Sequence, residues 1–130
     1  VDILGGPSDR KEAAEIARRI DCPNGARSFA GDFSLIESLR AVAGARAVLG
    51  VDTGLMHAAV AAATPSVIIL GGGHYGNFGP WGDPRRAKWL SHPMPCYDCN
   101  WECTQAEPFC IRSIPPQLIE SSLSDLLESA

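Results

Sequence analysis

The feature that most constrains the fold is an alternation of short, unbroken apolar runs with helix-patterned stretches. Ala47–Val51 and Ser66–Leu70 are compact apolar runs, and between them lies a nearly all-apolar helical stretch, Leu55–Ala63, stopped by Thr64-Pro65. A strand that is apolar at successive positions must be covered on both faces, and an intervening helix is the crossover that lets two such strands run parallel. The same alternation starts at the N-terminus. Val1–Leu4 reads as a strand followed by the turn Gly5-Gly6-Pro7. Asp9 and Glu12 then form a capping-box pair ahead of Ala13, Ile16, Ala17 and Ile20 at helical spacing. Arg27–Ala30 reads as a second strand, and Ser34 with Glu37 as a second capping box before Leu35, Ile36, Leu39 and Val42, closed by Gly44. The expected architecture is α/β, a Rossmann-like parallel sheet with helices on both faces, whose ligands bind at the carboxyl ends of the strands.

Beyond Leu70 the pattern changes. Ala87–Leu90 is one more candidate strand, but His74–Pro116 as a whole is irregular, rich in Gly, Pro, Trp and Cys, and too long for an idle connection. Pro116 opens a closing amphipathic helix with Leu118, Ile119, Leu123, Leu126 and Leu127 on one face. With 130 residues the expectation is a single domain over 1–130. The chain opens directly on a strand without an initiator Met, which reads as a segment of a longer protein.

Charge narrows the partners. Fifteen Asp and Glu face eleven Lys and Arg, and no stretch gathers basic residues with aromatics into a face that would follow a phosphate backbone, so no nucleic-acid partner is expected. The run Val67–Leu70 is far too short to span a bilayer, and the N-terminus lacks the pattern of a secretory signal. No membrane span is expected, and a cytoplasmic location is.

The strongest chemical signal is Val51-Asp52-Thr53-Gly54-Leu55-Met56-His57, where a strand end meets a helix start. The first backbone N–H groups of a helix lack partners and the dipole there is positive, so Thr53 Oγ and the amides near Gly54 suit a diphosphate. Asp52 would be repelled by a phosphate and is better placed to accept hydrogen bonds from sugar hydroxyls. His57, one turn in, is a candidate donor to a phosphate oxygen. The plainer alternative is that Asp52 or Thr53 caps the helix and His57 packs in its first turn.

These residues match the D-T/S-G-x-x-H junction of glycosyltransferase family 9, the ADP-heptose:lipopolysaccharide heptosyltransferase family, which the chain resembles over nearly its whole length. Asp32-Phe33-Ser34-Leu35 through Gly44-Ala45-Arg46 resembles the family's helix before the junction. Gly79-Pro80-Trp81-Gly82-Asp83 resembles the segment after it, and Cys96-Tyr97-Asp98-Cys99, Cys110 and Ile114-Pro115-Pro116 follow the family's order near the C-terminus. The resemblance implies the C-terminal, donor-binding domain of a GT-B enzyme, in which two Rossmann-like domains face each other across a cleft. By that resemblance Asp52 meets the donor sugar, Thr53 and Gly54 the diphosphate, the backbone near Phe33 the base, and Asp9 the ribose hydroxyls. Asp9 reads equally well as a first-turn acid and Phe33 as a hydrophobic staple.

The resemblance further implies inverting transfer from an ADP-heptose-like nucleotide-diphosphate sugar to a saccharide or lipid-linked acceptor. It places the general base in an N-terminal domain, so no catalytic residue is assigned in this chain. The chain departs from the family's usual turn at Gly71-Gly72-Gly73-His74, where a glycine-rich loop at a strand end reads either as a phosphate cradle or as a flexible turn. Trp81, Trp89 and Trp101 read as packing residues.

Four of the five cysteines, Cys96, Cys99, Cys103 and Cys110, fall within fifteen residues, with Cys22 apart. A C-x2-C pair followed by two more thiols is compatible with a structural Zn²⁺ or iron site, and reduced packed thiols are the alternative. No metal is expected at the donor phosphates. Two rival functions remain at this level. One is a sugar-nucleotide epimerase of GT-B-like fold; the other is a non-catalytic nucleotide-binding or metal-stapled interaction module. A dinucleotide oxidoreductase is disfavoured because no G-x-G-x-x-G follows the first strand.

Overall fold

Every strand pairing in the structure, a computed structural model that describes residues 1–129, is parallel. The chain divides into two units, Val1–Ala41 and Val42–Ala130. In the first unit β1 (Asp2–Ile3) pairs with β2 (Arg27–Ser28), Asp2 opposite Arg27 and Ile3 opposite Ser28. The crossover helix α1 (Arg10–Arg19) packs on β2 and buries Ala13. Both strands are shorter than their apolar runs suggested.

The expected Asp9–Glu12 box is not formed. Asp9 instead turns back, its Oδ2 accepting the Gly6 N–H at 2.7 Å while its own N–H donates to Gly6 O at 3.0 Å. The reason is local. Pro7 has no N–H to give, and a Cβ at Gly5 would sit 2.9 Å from Asp9 Oδ2, so the glycine turn folds onto that carboxylate. Arg10 ties the next loop down, donating to Ala30 O at 3.2 Å and Gly31 O at 2.7 Å. Helix α2 (Leu35–Ala43) does open with the expected box. The Ser34 N–H donates to Glu37 Oε2 at 2.7 Å, and the Glu37 N–H donates to Ser34 Oγ at 3.3 Å.

The second unit holds β3 (Val48–Val51), β4 (Ser66–Ile69) and β5 (Ala87–Leu90), in the order β3-β4-β5. The central strand β4 is paired on both edges, and both α3 (Gly54–Ala61) and α5 (Pro116–Glu128) pack against it. Val67 and Ile68 are therefore fully buried, as the unbroken apolar run requires. Met56, Val60, Ile68 and Ala87 form the core, with Val48 and Trp89 against it. Truncating Ile68 to Ala should cost about 2–5 kcal/mol.

Two close approaches set α3. A Cβ at Gly50 would fall 2.8 Å from Met56 Sδ, so the glycine lets Met56 press onto β3. Gly82, at φ +90°, leaves room for Val60. Among the described residues no helix is long and apolar enough to cross a membrane.

Candidate functional site

The site begins where β3 stops. The Asp52 N–H donates to Ile69 O at 3.0 Å, extending the β3–β4 ladder by one bond and holding the Asp52 backbone to the sheet. Thr53 then turns the chain into α3 in an extended conformation (φ −145°, ψ 167°), and its carbonyl accepts the N–H groups of Met56 at 3.0 Å and His57 at 3.1 Å. The Thr53 side chain makes no capping bond. Among the described residues nothing satisfies the N–H groups of Gly54 and Leu55. The capping alternative thus fails for Thr53, whose hydroxyl is exposed and uncommitted beside two orphan donors at the positive end of a helix.

Gly54 needs no glycine for the fold. Its backbone is not in the left-handed region, and a Cβ there would meet nothing within 4 Å. The space above the first turn of α3 is open.

One turn in, His57 is fully engaged. Its Nε2 lies 2.9 Å from Asp52 Oδ1, and its Nδ1 accepts the indole N–H of Trp81 at 2.9 Å, the two ring planes within 6° of each other. An indole nitrogen only donates, so Nδ1 is the acceptor and the proton of a neutral ring sits on Nε2, the nitrogen nearer the carboxylate. In this geometry both ring nitrogens of His57 have protein neighbours, Trp81 at Nδ1 and Asp52 at Nε2. The Asp52 side chain is 14% exposed, and its Oδ2 has no partner among the described residues. Oδ2 is a free acceptor, while Oδ1 lies against His57.

Trp81 is the residue that sequence reasoning missed. Its backbone is held in place, since the Trp89 N–H donates to Trp81 O at 2.9 Å, and Trp89 packs against Gly79, where a Cβ would lie 2.6 Å from the Trp89 ring. The available signal was position: Trp81 stands in a Gly-Pro-Trp-Gly turn, on no periodic apolar face. Asp83, next in that turn, is used locally. The Arg85 side chain, then the Arg85 backbone N–H, hold its carboxyl below the usual carboxylate range.

The glycine triplet at the end of β4 is not an open loop. A Cβ at Gly72 would lie 2.6 Å from the Tyr97 ring, and Cβ atoms at Gly71 and Gly73 would run into the Trp101 indole. The N–H groups of Asp98 and Asn100 donate to Gly72 O and Gly73 O at 2.8 and 2.9 Å, and His74 Nε2 meets Asn100 Oδ1 at 2.6 Å. The triplet is a seat for the following segment. Trp101 behaves as the packing residue it was read to be, although half of it stays exposed.

That docking also organises the cysteine-bearing stretch. All five cysteines are free thiols. Among the described residues no group of three or more His, Cys, Asp or Glu side chains is placed to hold a metal ion, so the convergence expected of Cys96, Cys99, Cys103 and Cys110 is not seen. Aromatic rings on glycines, and the short helix α4 (Phe109–Arg112), shape the segment instead.

Of the residues singled out from the sequence, Asp52, Thr53, Gly54 and His57 come together at one junction in the second unit. Asp9 and Phe33 belong to the first. There Asp9 is occupied by Gly6 and Ser8, and Phe33 stacks on Phe29 with centroids 4.6 Å apart.

The model of glycosyltransferase family 9 (heptosyltransferase) matches residues 1–107, most of the chain and the whole of this junction. The chain belongs to glycosyltransferase family 9. Two solved structures share its fold. Over 100% of this chain and 37% of its own, the ADP-heptose lps heptosyltransferase II of E. coli superposes with a TM-score of 0.77 at 24% identity. A glycosyl transferase family 9 protein of Veillonella parvula gives 0.76 at 17% identity over 99% of this chain and 36% of its own. The chain thus spans little more than a third of these family 9 proteins. A comparison with curated protein sequences gives no match.

Proposed function

We propose that the chain is the donor-binding domain of an inverting, two-domain GT-B glycosyltransferase that takes a nucleotide-diphosphate sugar of the ADP-heptose class. The acceptor is a saccharide or lipid-linked saccharide, and the reaction is cytoplasmic. One observation carries this reading. The start of α3 presents an unused hydroxyl, two unpartnered N–H groups and open space over Gly54, directly beside a carboxylate with one free oxygen.

In this reading the Gly54 and Leu55 N–H groups and Thr53 Oγ hold the diphosphate. The helix dipole stabilises the negative charge that grows on it as the anomeric bond breaks. Asp52 Oδ2 accepts hydrogen bonds from the sugar hydroxyls and orients the anomeric carbon for attack from the opposite face. The general base that takes the acceptor proton is assigned to no residue of this chain. An epimerase would need acid and base groups flanking the sugar, and at this junction the described residues offer one carboxylate, Asp52, with His57 against one of its oxygens.

Calorimetric titration of the intact protein with ADP, UDP, GDP and the matching nucleotide sugars tests the reading. Saturable binding of one nucleotide and its sugar, followed by transfer of that sugar with inverted anomeric configuration, is the expected result. A folded protein that binds none of them contradicts it.

A further inference from the structure

The junction explains Asp52, Thr53 and Gly54 but not why a tryptophan donates to the histidine behind them. Two hydrogen bonds and a close polar contact follow one another: Trp89 Nε1 donates to Trp81 O at 2.9 Å, Trp81 Nε1 donates to His57 Nδ1 at 2.9 Å, and His57 Nε2 lies 2.9 Å from Asp52 Oδ1. We infer that Trp81 is a positioning residue, which through its indole N–H fixes the tautomer of His57 and thereby aims the Asp52 carboxylate at the donor sugar. The inference rests on the proposed donor site and names a residue outside it.

The physical argument is one of donor count. A neutral imidazole carries a single N–H, and in isolation either nitrogen can hold it. With the proton on Nδ1, two donors would face each other at Trp81, and Nε2 would present a lone pair to a carboxylate. The indole bond would fail, and the contact with Asp52 would lose its hydrogen. With the proton on Nε2 the indole bond is made and a hydrogen is available toward Asp52, so the indole N–H selects one tautomer by excluding the other. A second constraint is rigidity. Trp81 lies in a turn braced by Trp89 against Gly79 and by Gly82 at φ +90° against Val60, so the donor is carried on packed backbone although the Trp81 side chain is 40% exposed. Exposure of a large indole whose N–H points inward is what a positioning role requires and simple core packing does not.

The test uses the intact protein, labelled with ¹⁵N at histidine and tryptophan. In the wild type a through-hydrogen-bond nitrogen–nitrogen coupling between Trp81 Nε1 and His57 Nδ1 is expected, with His57 wholly in the Nε2–H form. Trp81→Phe keeps an aromatic ring but removes the donor. It should release His57 into a mixture of tautomers and lower kcat roughly three- to tenfold, the worth of one hydrogen bond, with nucleotide diphosphate affinity unchanged. Absence of the coupling in the wild type overturns the proposal without any variant, so a Trp81→Phe protein that misfolds does not shield it. An unaltered tautomer and rate in a folded Trp81→Phe protein overturn it too. Those failures leave donor binding by the wild type intact. Failure of the underlying reading abolishes that binding in the wild type itself, and takes the role of Trp81 with it.

Discussion

Two glycine junctions stand at the carboxyl ends of neighbouring strands, and they are built for opposite ends. After β4 the protein fills its own glycines, with Trp101 and Tyr97 occupying the space that side chains at Gly71, Gly72 and Gly73 would take. After β3, among the described residues, nothing beyond the adjoining backbone and chain neighbours comes within 4 Å of where a Cβ at Gly54 would be. Gly71–Gly73 serve the fold, whereas the space at Gly54 is left open. The same contrast separates two helix starts. Ser34 and Glu37 satisfy the first turn of α2, while Thr53 leaves the first turn of α3 unsatisfied.

The largest expected effect is at the filled junction. Gly73→Ala forces a Cβ into the Trp101 ring and should lower stability by about 1–3 kcal/mol, read by thermal or denaturant unfolding. Equal stability in that variant would mean the triplet is a loose turn, and the contrast would collapse. Next comes the ring itself. Half-exposed Trp101, truncated to Ala, should cost about 2 kcal/mol from lost apolar contact. In that background Gly73→Ala should cost much less, and a double-mutant cycle measures the coupling. If the two costs simply add, the ring and the glycines are not partners.

The helix starts give a smaller pair of effects. Ser34→Ala removes a working cap and should destabilise by about 1 kcal/mol, while Thr53→Val, at a cap with no side-chain bond, should leave the melting temperature nearly unchanged. Smallest is a pH effect at Glu37. Its side-chain bond with Ser34 Oγ, then the Ser34 backbone N–H, lower its folded pKa. A depressed carboxyl contributes stability that is present above the unfolded pKa and lost as pH falls through the folded one. Acidification through the carboxylate range should therefore remove a small increment that Glu37→Gln lacks, seen as a difference in the slope of stability against pH.

The fold was legible wherever period and capping chemistry spoke together. The apolar run at Ser66–Leu70 announced a strand covered on both faces, the Ser34–Glu37 box announced α2, and Pro116 announced α5 at the residue where it begins. Asp9 misled because a local competitor, the free N–H of Gly6, outbid the helix it precedes. The junction after β3 was legible as a site because strand, acid, hydroxyl and glycine succeed one another there. Trp81 was not, since its role depends on a hydrogen bond across 24 positions of sequence. The cysteines are spaced as ligands could be, but aromatic docking on the glycines sets the path of that segment, and among the described residues they do not converge.

The central claim, that the start of α3 is kept open for a diphosphate, meets its most direct test in one variant of the intact protein, Gly54→Ala, measured for unfolding and for nucleotide-sugar affinity together. A methyl group there touches no protein atom, so stability should stay within about 0.5 kcal/mol of the wild type or rise. Donor affinity should fall by about tenfold or more, as the methyl takes the place of a phosphate oxygen. A variant that binds the donor as well as the wild type, at equal stability, would contradict the account.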